Sequence, residues 1–598
     1  MYILGISCFY HDAAACILKD GVLIAASEEE RFSRLKHDSR FPILAIDFCL
    51  KQAGIGYHDL DYVVFYEKPL KKLDRSLKTL LSVFPKGRKV VDHMLKHWLG
   101  QQLWIKQRIK KHCHISESQI FFVDHHYSHA ASAFFCSPFQ EAAIVTVDGV
   151  GEWTTATMGW GKADWIGNGK SEMHLDWEIR FPHSLGLLYS AFTAFLGFEV
   201  NEGEYKVMGM APYGYPRFLD KIEKVVHVGE DGSFHLDLDY FEFHHSTQRM
   251  FSQKFVDLFG NSRAKSDDFF TYATHPKRDH IAWSEEGARQ NQYYADIAAS
   301  IQKKTEEILL KMAREAYRRT GLKKLCLAGG VALNSVANGR ILNETPFEDL
   351  YIQPAAGDAG GALGASLYAY HVLLGQPRKF VMEHAYWGKS YSQQEIEDFL
   401  KKMGVRYQSL DSVESLTNHV VDAIHQGKVI GWFQGRFEWG PRALGNRSIL
   451  ADPRRPEMKE IVNEKIKFRE PFRPFAPAIL DSYTKEYFDF EEPKQHYPTR
   501  YMLEVHKFRD SKGDQVKAVN HMGTGRLQTV QQNTNPVYYE LLKKFNEATG
   551  VPVLLNTSFN LRGEPIVTTP ENAFNTFTKS GIDWLVLENC LVMKERLS

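Results

Sequence analysis

Residues 121–132 read FFVDHHYSHAAS and hold three histidines and one aspartate within six consecutive positions. His125 and His129 are four residues apart, so on a helix their imidazoles lie on one face and could bind one cation, whereas His126 points elsewhere. The same spacing is also typical of an ordinary hydrogen-bonded helix face. A zinc protease is disfavoured, because its motif requires glutamate directly after the first histidine and this chain has His126 there.

Two glycine-containing loops carry carboxylates that could complete a cation site with this histidine pair. Asp148 follows the apolar run 142–147, and Asp358 lies within QPAAGDAGGALGA at 353–365. Imidazole nitrogen together with carboxylate oxygen forms a mixed donor set that binds divalent metals. We therefore expect a metal site if folding brings these four side chains together.

Length and composition define the broad class of the protein. The 598-residue chain is expected to fold as about two to four domains. Its 73 basic and 73 acidic residues balance, so no overall basic field points to a nucleic-acid partner. Seven cysteines without CxxC pairs indicate reduced thiols in the cytoplasm. We find no signal peptide, and no apolar run reaches the ~20 residues of a membrane span.

Similar hairpin patterns occur at two places in the N-terminal part. Residues 1–32 are predicted to form consecutive β-hairpins, with an elbow at His11 between the first two strands. The run AAIVTVDGVGEWTTATMGW at 142–160 repeats the order of strand, Asp/Gly-rich elbow and strand. This echo predicts a duplicated fold whose hairpin tips face a shared cleft.

Two glycine-rich turns each lie between a predicted strand and a helix. CLAGGVALN places Gly329 and Gly330 at the first turn, with Asn334 one helical turn further on, and Asp358 occupies the second. Glycines at such turns let backbone amides and the helix N-terminus approach an anion or a nucleotide. These turns are absent from residues 375–410, where we place a domain boundary.

The C-terminal part has a different pattern, in which arginines alternate with glycine, proline and aromatic residues. The strand-like run VIGWF is followed by QGRFEWGPRALGNRSILADPR, and KFREPFRPFAP lies further on. A guanidinium group can grip phosphate or carboxylate with two parallel hydrogen bonds. We interpret the cluster as an anion pocket, which the hydroxyl and amide groups of residues 556–558 could complete.

Ten segments in order along the chain together resemble the NodU/CmcH-type O-carbamoyltransferases. They are YHDAAACI, EEERFSRLKHD, DHHYSHAASAF, TVDGVGEWTT, GEYKVMGMAPYG, GGVALN, GDAGGALGA, GRFEWGPRALGNRSILADPR, KFREPFRPFAP and LNTSFNLRGEPIV. The resemblance implies an α/β protein of two domains. Residues 1–375 would have the duplicated actin/hexokinase-like (ASKHA) fold of tRNA threonylcarbamoyl transferases, and residues 376–598 a YrdC-like fold. Family members carbamoylate hydroxyl groups of nodulation factors, antibiotics and related natural products.

The resemblance implies two reactions on one chain. In the C-terminal domain, carbamoyl phosphate and ATP with Mg²⁺ would give carbamoyl-adenylate, and in the N-terminal domain the carbamoyl group would pass to an acceptor hydroxyl. His11 would be the general base toward that hydroxyl. Iron(II) or another divalent cation would be held by His125, His129, Asp148 and Asp358. The resemblance is also compatible with a homodimer.

The other residues implied by the resemblance bind the substrates. The residues expected to line the adenylate are Gly149, Gly329, Gly330, Asn334 and Asp358. The residues expected to hold carbamoyl phosphate and ATP are Lys467, Arg442, Arg447, Arg473, Arg526, Asn556 and Ser558.

Three other classes of protein remain open from the residues alone. A sugar-type kinase or ATP-binding chaperone of the ASKHA fold would share the hairpins and nucleotide turns, but it would need neither the histidine pair nor a second arginine-rich domain. A binding protein that only retains the fold would tolerate loss of the charged pocket residues, which are all present here. A metalloprotease would need a base beside the histidine pair.

The sequence does not identify the acceptor. We expect its pocket to be lined by stretches near residues 60–115 and 230–290, whose mixture of aromatic and polar side chains suits a sugar or a polyketide hydroxyl equally well. Within residues 47–111 the pattern is helical, and we interpret basic positions such as Lys86, Arg88 and Lys89 as solvent-facing polar positions of amphipathic helices.

Overall fold

The structure is a computed structural model that describes residues 1–84, 102–167, 169–274, 283–489 and 496–596. The chain forms two compact units, of which unit 1 consists of Met1–Ala25 and Ser39–Met382, and unit 2 of Ala26–Asp38 and Glu383–Ser598. The sequence pattern does not predict that residues 26–38 belong to unit 2. The assignment of one reaction to each domain, with a boundary between residues 375 and 376, stays a prediction.

Unit 1 begins with a five-stranded sheet in the order β3-β2-β1-β4-β5. The strands are β1 (Tyr2–Ser7), β2 (Ala14–Lys19), β3 (Val22–Glu28), β4 (Tyr62–Phe65) and β5 (Ile120–Phe122). β1 pairs antiparallel with β2 and parallel with β4, and β4 pairs parallel with β5. The elbow between β1 and β2 carries His11, as the hairpin pattern predicts.

A second five-stranded sheet of unit 1 has the order β12-β11-β6-β7-β8, and β9 pairs separately with β10. The strands are β6 (Glu141–Val147), β7 (Thr154–Lys162), β8 (Glu172–Arg180), β9 (Val226–Val228), β10 (Phe234–Leu236), β11 (Lys324–Ala328) and β12 (Asp349–Tyr351). β6 pairs antiparallel with β7 and parallel with β11, just as β1 pairs with β2 and β4. The two sheets therefore repeat one topology, which confirms the predicted duplicated actin/hexokinase-like fold.

Some helices of unit 1 pack on these sheets, and others pack on one another. They are Ile43–Ala53, Pro69–Ser82, Ile105–Cys113, His125–Phe134, Leu185–Phe195, Glu204–Met210, Leu219–Ile222, Gln253–Phe259, Glu285–Thr320, Ser335–Glu344 and Asp358–Tyr368. The histidine helix, His125–Phe134, and the aspartate helix, Asp358–Tyr368, make close contact. A β-carbon added to Gly364 would lie 1.8 Å from the carbonyl oxygen of Ser128. Only glycine fits at this crossing.

Unit 2 is built on an eight-stranded mixed sheet in the order β13-β22-β21-β14-β15-β20-β16-β19, and β17 pairs separately with β18. Its strands are β13 (Gln408–Ser409), β14 (Ile430–Phe433), β15 (Arg447–Ala451), β16 (Ala476–Leu480), β17 (Val505–Lys507), β18 (Thr524–Arg526), β19 (Gln528–Val530), β20 (Val553–Ser558), β21 (Trp584–Leu587) and β22 (Cys590–Met593). Its helices are Glu30–Ser33, Gln393–Lys402, Val413–His425, Met458–Ile461, Thr484–Tyr487, Tyr497–Arg500, Asp510–Gly513, Pro536–Thr549 and Pro570–Lys579. Unit 2 is therefore α/β, as predicted, and its resemblance to YrdC stays a prediction.

All seven cysteines are buried free thiols.

Among the helices in the described part of the chain, none combines the length and apolarity that crossing a bilayer requires.

Replacing Gly364 with alanine should destabilise unit 1, because the added methyl group must force the two helices apart. We expect a loss of about 2–3 kcal/mol in the free energy of unfolding, measured by urea denaturation. Gly169→Ala is the matched control, because its β-carbon would meet its nearest neighbouring atom at 4.0 Å. Equal stability of the two variants would contradict the close helix contact.

Candidate active sites

Four side chains in unit 1 converge on one buried point. Nε2 of His125 lies 3.1 Å from Oδ2 of Asp148 and 3.0 Å from Nε2 of His129. Oδ1 of Asp358 is 3.6 Å from His125 Nε2 and 3.5 Å from His129 Nε2. One nitrogen or oxygen from each residue lies within 4.8 Å of the others. The structure thus brings together all four residues predicted as metal ligands, and their ligand roles stay predictions.

Backbone contacts orient these side chains. Both carboxylate oxygens of Glu152 accept a hydrogen bond from the backbone N–H of His125, at 3.1 Å each. This carboxylate lies at the positive N-terminal end of the histidine helix, where a negative charge is stabilised. On the opposite side, the N–H of Gly330 donates to Oδ1 of Asp148 at 2.7 Å. In this conformation the Gly330 amide therefore orients the Asp148 carboxylate.

The three histidines of the helix differ in their surroundings. His126 points away from the cluster, as predicted, and its ring nitrogens lie 2.6 Å from Thr146 Oγ1 and 2.9 Å from the Thr154 carbonyl. Burial, reinforced by the neighbouring imidazoles, lowers the pKa of His126 to about 3. Burial also opposes protonation of His129, but hydrogen bonds to Asp148 and Asp358 raise its pKa to about 9.

The donor set of the cluster fits a divalent transition metal. It offers two imidazole nitrogens and two carboxylates in a buried place, and hydrogen bonds from His125 and His129 lower the pKa of Asp148 well below its usual range despite burial. Oδ2 of Asp358 is buried and has no hydrogen-bond partner among the described residues. Two facing imidazole nitrogens need a proton or a cation between them, and a metal would satisfy both together with the carboxylates.

His11 lies in the β1–β2 elbow, with both ring nitrogens in contact with oxygen atoms. Nδ1 is 2.8 Å from a carboxylate oxygen of Asp12, and Nε2 is 2.9 Å from the carbonyl oxygen of Asn201. Burial opposes protonation, but the charge and hydrogen bond of Asp12 raise the pKa of His11 to about 9. In this conformation His11 is therefore an imidazolium that donates to both neighbours.

The residues expected to line the adenylate have distinct local roles. A β-carbon on Gly329, where φ is +96°, would lie 2.2 Å from the Val147 carbonyl oxygen, so glycine is required there. Gly149 directly follows Asp148, and its carbonyl accepts from Ser184 Oγ at 2.6 Å. Asn334 caps the helix Ser335–Glu344 through its side-chain oxygen and pairs with the amide of Gln302 at 3.0 Å. Nucleotide binding by these residues stays a prediction.

In unit 2, Lys467 is buried with its charge facing uncharged oxygen atoms. Its Nζ donates to the carbonyl and the hydroxyl of Ser558, at 2.7 and 3.2 Å, and to the carbonyl and the side-chain oxygen of Asn560. Burial and the positive charges of Arg469 and Arg473 lower the pKa of Lys467 well below its usual value. The side chains of Lys467, Arg469 and Arg473 therefore lie close enough to affect one another electrostatically.

Arg447 and Asn556 are tied mainly to the backbone of unit 2. The fully buried Arg447 donates to the carbonyl groups of four residues: Gln434, Asn446, Lys389 and Gly435. Burial lowers its pKa to about 10. Asn556 donates to the Ala443 carbonyl at 3.2 Å and to Gln528 Oε1 at 2.7 Å. In this conformation both side chains support the loop that carries Arg442.

The other predicted arginines of unit 2 are half-buried. They are Arg442, Arg473 and Arg526. The positive charge of Arg473 helps to lower the pKa of Lys467. The guanidinium of Arg473 is 3.5 Å from a carboxylate oxygen of Glu470. Their role as ligands of carbamoyl phosphate and ATP stays a prediction.

Sequence reasoning misses several residues that shape these sites. Glu152, which caps the histidine helix, has a local signal, since it directly follows the run DGVG at 148–151. Asn560 contacts Lys467 and lies within the quoted LNTSFNLRGEPIV segment. Buried Glu438 accepts from the backbone N–H groups of Leu444, Asn446 and Arg447, and no local pattern indicates this role.

The chain combines a duplicated actin/hexokinase-like unit that holds a histidine–aspartate cluster with a second α/β unit that holds a buried lysine close to arginines. Residues 2–367 match the family model described as Carbamoyltransferase N-terminus, and residues 421–594 match Carbamoyltransferase C-terminus. The chain therefore belongs to the carbamoyltransferase family, which confirms the predicted resemblance, and the protein is a carbamoyltransferase.

Curated relatives support this assignment. Uncharacterized protein sll1178 of Synechocystis sp. is 44% identical over 99% of this chain and 97% of its own length. Nodulation protein NolNO of Sinorhizobium fredii is 36% identical, covering 99% of this chain and 80% of its own. The 3'-hydroxymethylcephem-O-carbamoyltransferase of Amycolatopsis lactamdurans is 33% identical over 45% of this chain and 48% of its own.

Replacing His129 with alanine should weaken binding of a divalent ion by at least about 100-fold, because a ligand nitrogen is lost from the cluster. Calorimetric titration of metal-free protein with Co²⁺ measures the affinity. His126→Gln is the matched control on the same helix: it should keep Co²⁺ affinity while lowering stability through lost hydrogen bonds. Equal loss of affinity in both folded variants would argue against the predicted ligand set.

Proposed function

We propose that the protein is an ATP-dependent O-carbamoyltransferase that makes carbamoyl-adenylate in unit 2 and transfers its carbamoyl group to a small-molecule hydroxyl in unit 1. The observation that carries the proposal is that the two units of this carbamoyltransferase bury different kinds of polar groups. Unit 1 has a buried imidazole–carboxylate cluster, and unit 2 has a buried lysine among arginines.

The pocket of unit 2 suits small anions. Lys467 is repelled by two nearby arginines and, among the described residues, donates to uncharged oxygens, so a bound dianion would offset that repulsion. Carbamoyl phosphate has this charge. In the proposed first reaction, water hydrolyses carbamoyl phosphate to carbamate and phosphate, and a carbamate oxygen attacks the α-phosphorus of Mg²⁺-bound ATP. Pyrophosphate leaves, and carbamoyl-adenylate remains.

In unit 1, the acceptor hydroxyl attacks the carbamoyl carbon and AMP leaves. Asp12 holds Nδ1 of His11, which is the arrangement of a base and its orienting carboxylate. We propose that the acceptor hydroxyl replaces the Asn201 carbonyl at Nε2, so that a neutral His11 takes its proton. A divalent ion held by His125, His129, Asp148 and Asp358 would supply positive charge to hold the adenylate and polarise its carbonyl.

The family membership indicates only the broad chemical class of the acceptor. The relatives named as nodulation proteins and as a cephem carbamoyltransferase favour a natural product, sugar or antibiotic hydroxyl. The stretches 60–115 and 230–290 stay the predicted lining of the acceptor pocket, although residues 85–101 and 275–282 lie outside the described residues.

The first reaction can be tested without an acceptor. Purified protein is incubated with ATP, Mg²⁺ and carbamoyl phosphate, each omitted in turn, and nucleotides are separated by liquid chromatography with mass detection. Carbamoyl-adenylate, or AMP and pyrophosphate formed only with carbamoyl phosphate, is the expected result. ADP formed regardless of carbamoyl phosphate would instead identify a kinase or a chaperone.

Two variants should separate the two reactions. Lys467→Ala should slow adenylate formation by at least about 100-fold, because charge stabilisation in the anion pocket is lost. His11→Ala should leave adenylate formation intact and slow transfer to a hydroxylated acceptor, found by screening, by about 10²- to 10⁴-fold.

The controls are Lys465→Ala, an exposed lysine beside the pocket segment, and His58→Ala, whose side chain is 86% exposed. Both should keep full activity. Loss of adenylate formation in a folded His11→Ala protein would refute the division of labour between the units.

A further inference from the structure

Arg75 lies on the helix Pro69–Ser82 of unit 1, next to the histidine–aspartate cluster. Its guanidinium donates to the carbonyl of Gly151. A β-carbon added to Gly151 would lie 2.9 Å from Cδ2 of His125, so the Gly151 backbone touches the His125 ring. Only Gly151 therefore separates Arg75 from one of the predicted metal ligands.

Arg75 differs from the four lysines near it in the chain, because it has no carboxylate partner among the described residues. The lysines all form ion pairs: Lys68 and Lys71 with Asp124, Lys72 with Glu67, and Lys78 with Asp74. Arg75 is half-buried, and within the described part of the chain it donates to one uncharged carbonyl. A guanidinium has five N–H donors in a planar fork that matches phosphate or carboxylate oxygens. Arg75 thus keeps donors for an anionic ligand.

Tyr10 brings a second donor to the same place. It lies in the β1–β2 elbow directly before His11, and 39% of its surface is exposed. Its hydroxyl oxygen is 3.9 Å from the position that a β-carbon on Gly149 would occupy, and Nζ of Lys72 is 5.3 Å from its ring centre. The hydroxyl makes no hydrogen bond with any residue that the structure describes. Its proton is therefore available to a ligand.

The charges of the cluster and of Arg75 both act on the Tyr10 hydroxyl. Partial burial, together with the negative charges of Asp358 and Asp148, raises the pKa of Tyr10. The positive charge of Arg75 acts in the opposite direction, so Tyr10 lies close to Arg75 as well as to the carboxylates. Tyr10 is thus a neutral phenol that can donate a hydrogen bond to an anion beside the cluster.

We propose that Arg75 and Tyr10 together bind an oxyanion of a substrate beside the histidine–aspartate cluster. The inference rests on the proposed function, in which this oxyanion is the phosphate of carbamoyl-adenylate. The contact of Tyr10 with Gly149 favours this source, because Gly149 is expected to line the adenylate. An acidic group on the acceptor has the same chemistry and is the other source.

A phosphate at this position suits the transfer step. One oxygen joins the phosphorus and the carbamoyl carbon of the adenylate, so a phosphate held by Arg75 keeps that carbon near the cluster. The acceptor oxygen forms a bond to the carbon, the bond from the carbon to the bridging oxygen breaks, and that oxygen leaves with AMP. The leaving phosphate gains one negative charge, which the guanidinium and the phenol stabilise.

A purely structural role for Arg75 makes a different prediction. If Arg75 only held Gly151 against His125, its loss would disturb a metal ligand and weaken metal binding by about 10- to 100-fold. It would not distinguish a ligand that carries a phosphate from one that lacks it. The test therefore measures both properties.

The test compares AMP with adenosine, which lacks the phosphate, by calorimetric titration of full-length protein loaded with Co²⁺. Arg75→Gln should bind AMP at least about tenfold more weakly, and Tyr10→Phe about tenfold more weakly, because each loses a hydrogen bond to a charged group. Affinities for adenosine and for Co²⁺ should stay unchanged. Repeating the titrations in the Lys467→Ala protein identifies AMP that is bound in unit 2.

The matched control is Arg318→Gln, which changes an arginine of unit 1 whose side chain is 71% exposed on the helix Glu285–Thr320. It should bind AMP as the unchanged protein does, and thermal melting checks that every variant is folded. Glucuronate and glucose form a second pair of probes, with and without a carboxylate. Loss of glucuronate binding in Arg75→Gln, with AMP binding unaffected, would assign the oxyanion to the acceptor.

Three results would overturn the inference. They are equal affinity of Arg75→Gln and the unchanged protein for both anions, no binding of either anion by the unchanged protein, and a loss of Co²⁺ or adenosine affinity as large as the loss of AMP affinity. None of these measurements needs turnover. AMP binding that depends on Arg75 in a protein that makes no carbamoyl-adenylate would refute the two-step reaction and leave the oxyanion site in place.

Discussion

The histidine–aspartate cluster of unit 1 depends on the closeness of two helices. The histidine helix supplies both imidazoles and the aspartate helix supplies one carboxylate, and they meet where Gly364 touches the backbone of Ser128. Ser128 directly precedes His129, so this contact sets how far His129 lies from Asp358. A protein interior is nearly close-packed, and a single added methyl group cannot be absorbed without moving one helix.

Both candidate sites bury charge, but they compensate for it differently. In unit 1, imidazoles and carboxylates balance each other, and Glu152 and the Gly330 amide hold them in place. In unit 2, Lys467 lies close to the positive charges of Arg469 and Arg473 and donates to uncharged oxygens of Ser558 and Asn560. Like charges held close together repel one another, and binding of an anion would offset that repulsion. This contrast suits a metal in one unit and phosphate-bearing substrates in the other.

The helix Pro69–Ser82 lies between the molecular surface and the Gly151 segment, which flanks the histidine–aspartate cluster. In most surface helices the apolar side faces the core and the charged side faces water. Here Lys72 and Arg75 face inward, where carboxylate and carbonyl oxygens pair with them, and three leucines remain outside. The local pattern is that of an ordinary amphipathic helix, and only its packing reveals that these two charged side chains face inward.

The sequence by itself determined the α/β class, the duplicated hairpins, the placement of His125 and His129 on one helix face and the outward direction of His126. These features follow from periodicity and turn chemistry, which act over a few residues. Tertiary structure alone decided that residues 26–38 join unit 2, that Gly330 orients Asp148, and that Arg447 bonds to carbonyl groups. Each of these depends on groups far apart in the chain, and side-chain spacing along the sequence carries no information about which distant oxygen a buried donor will meet.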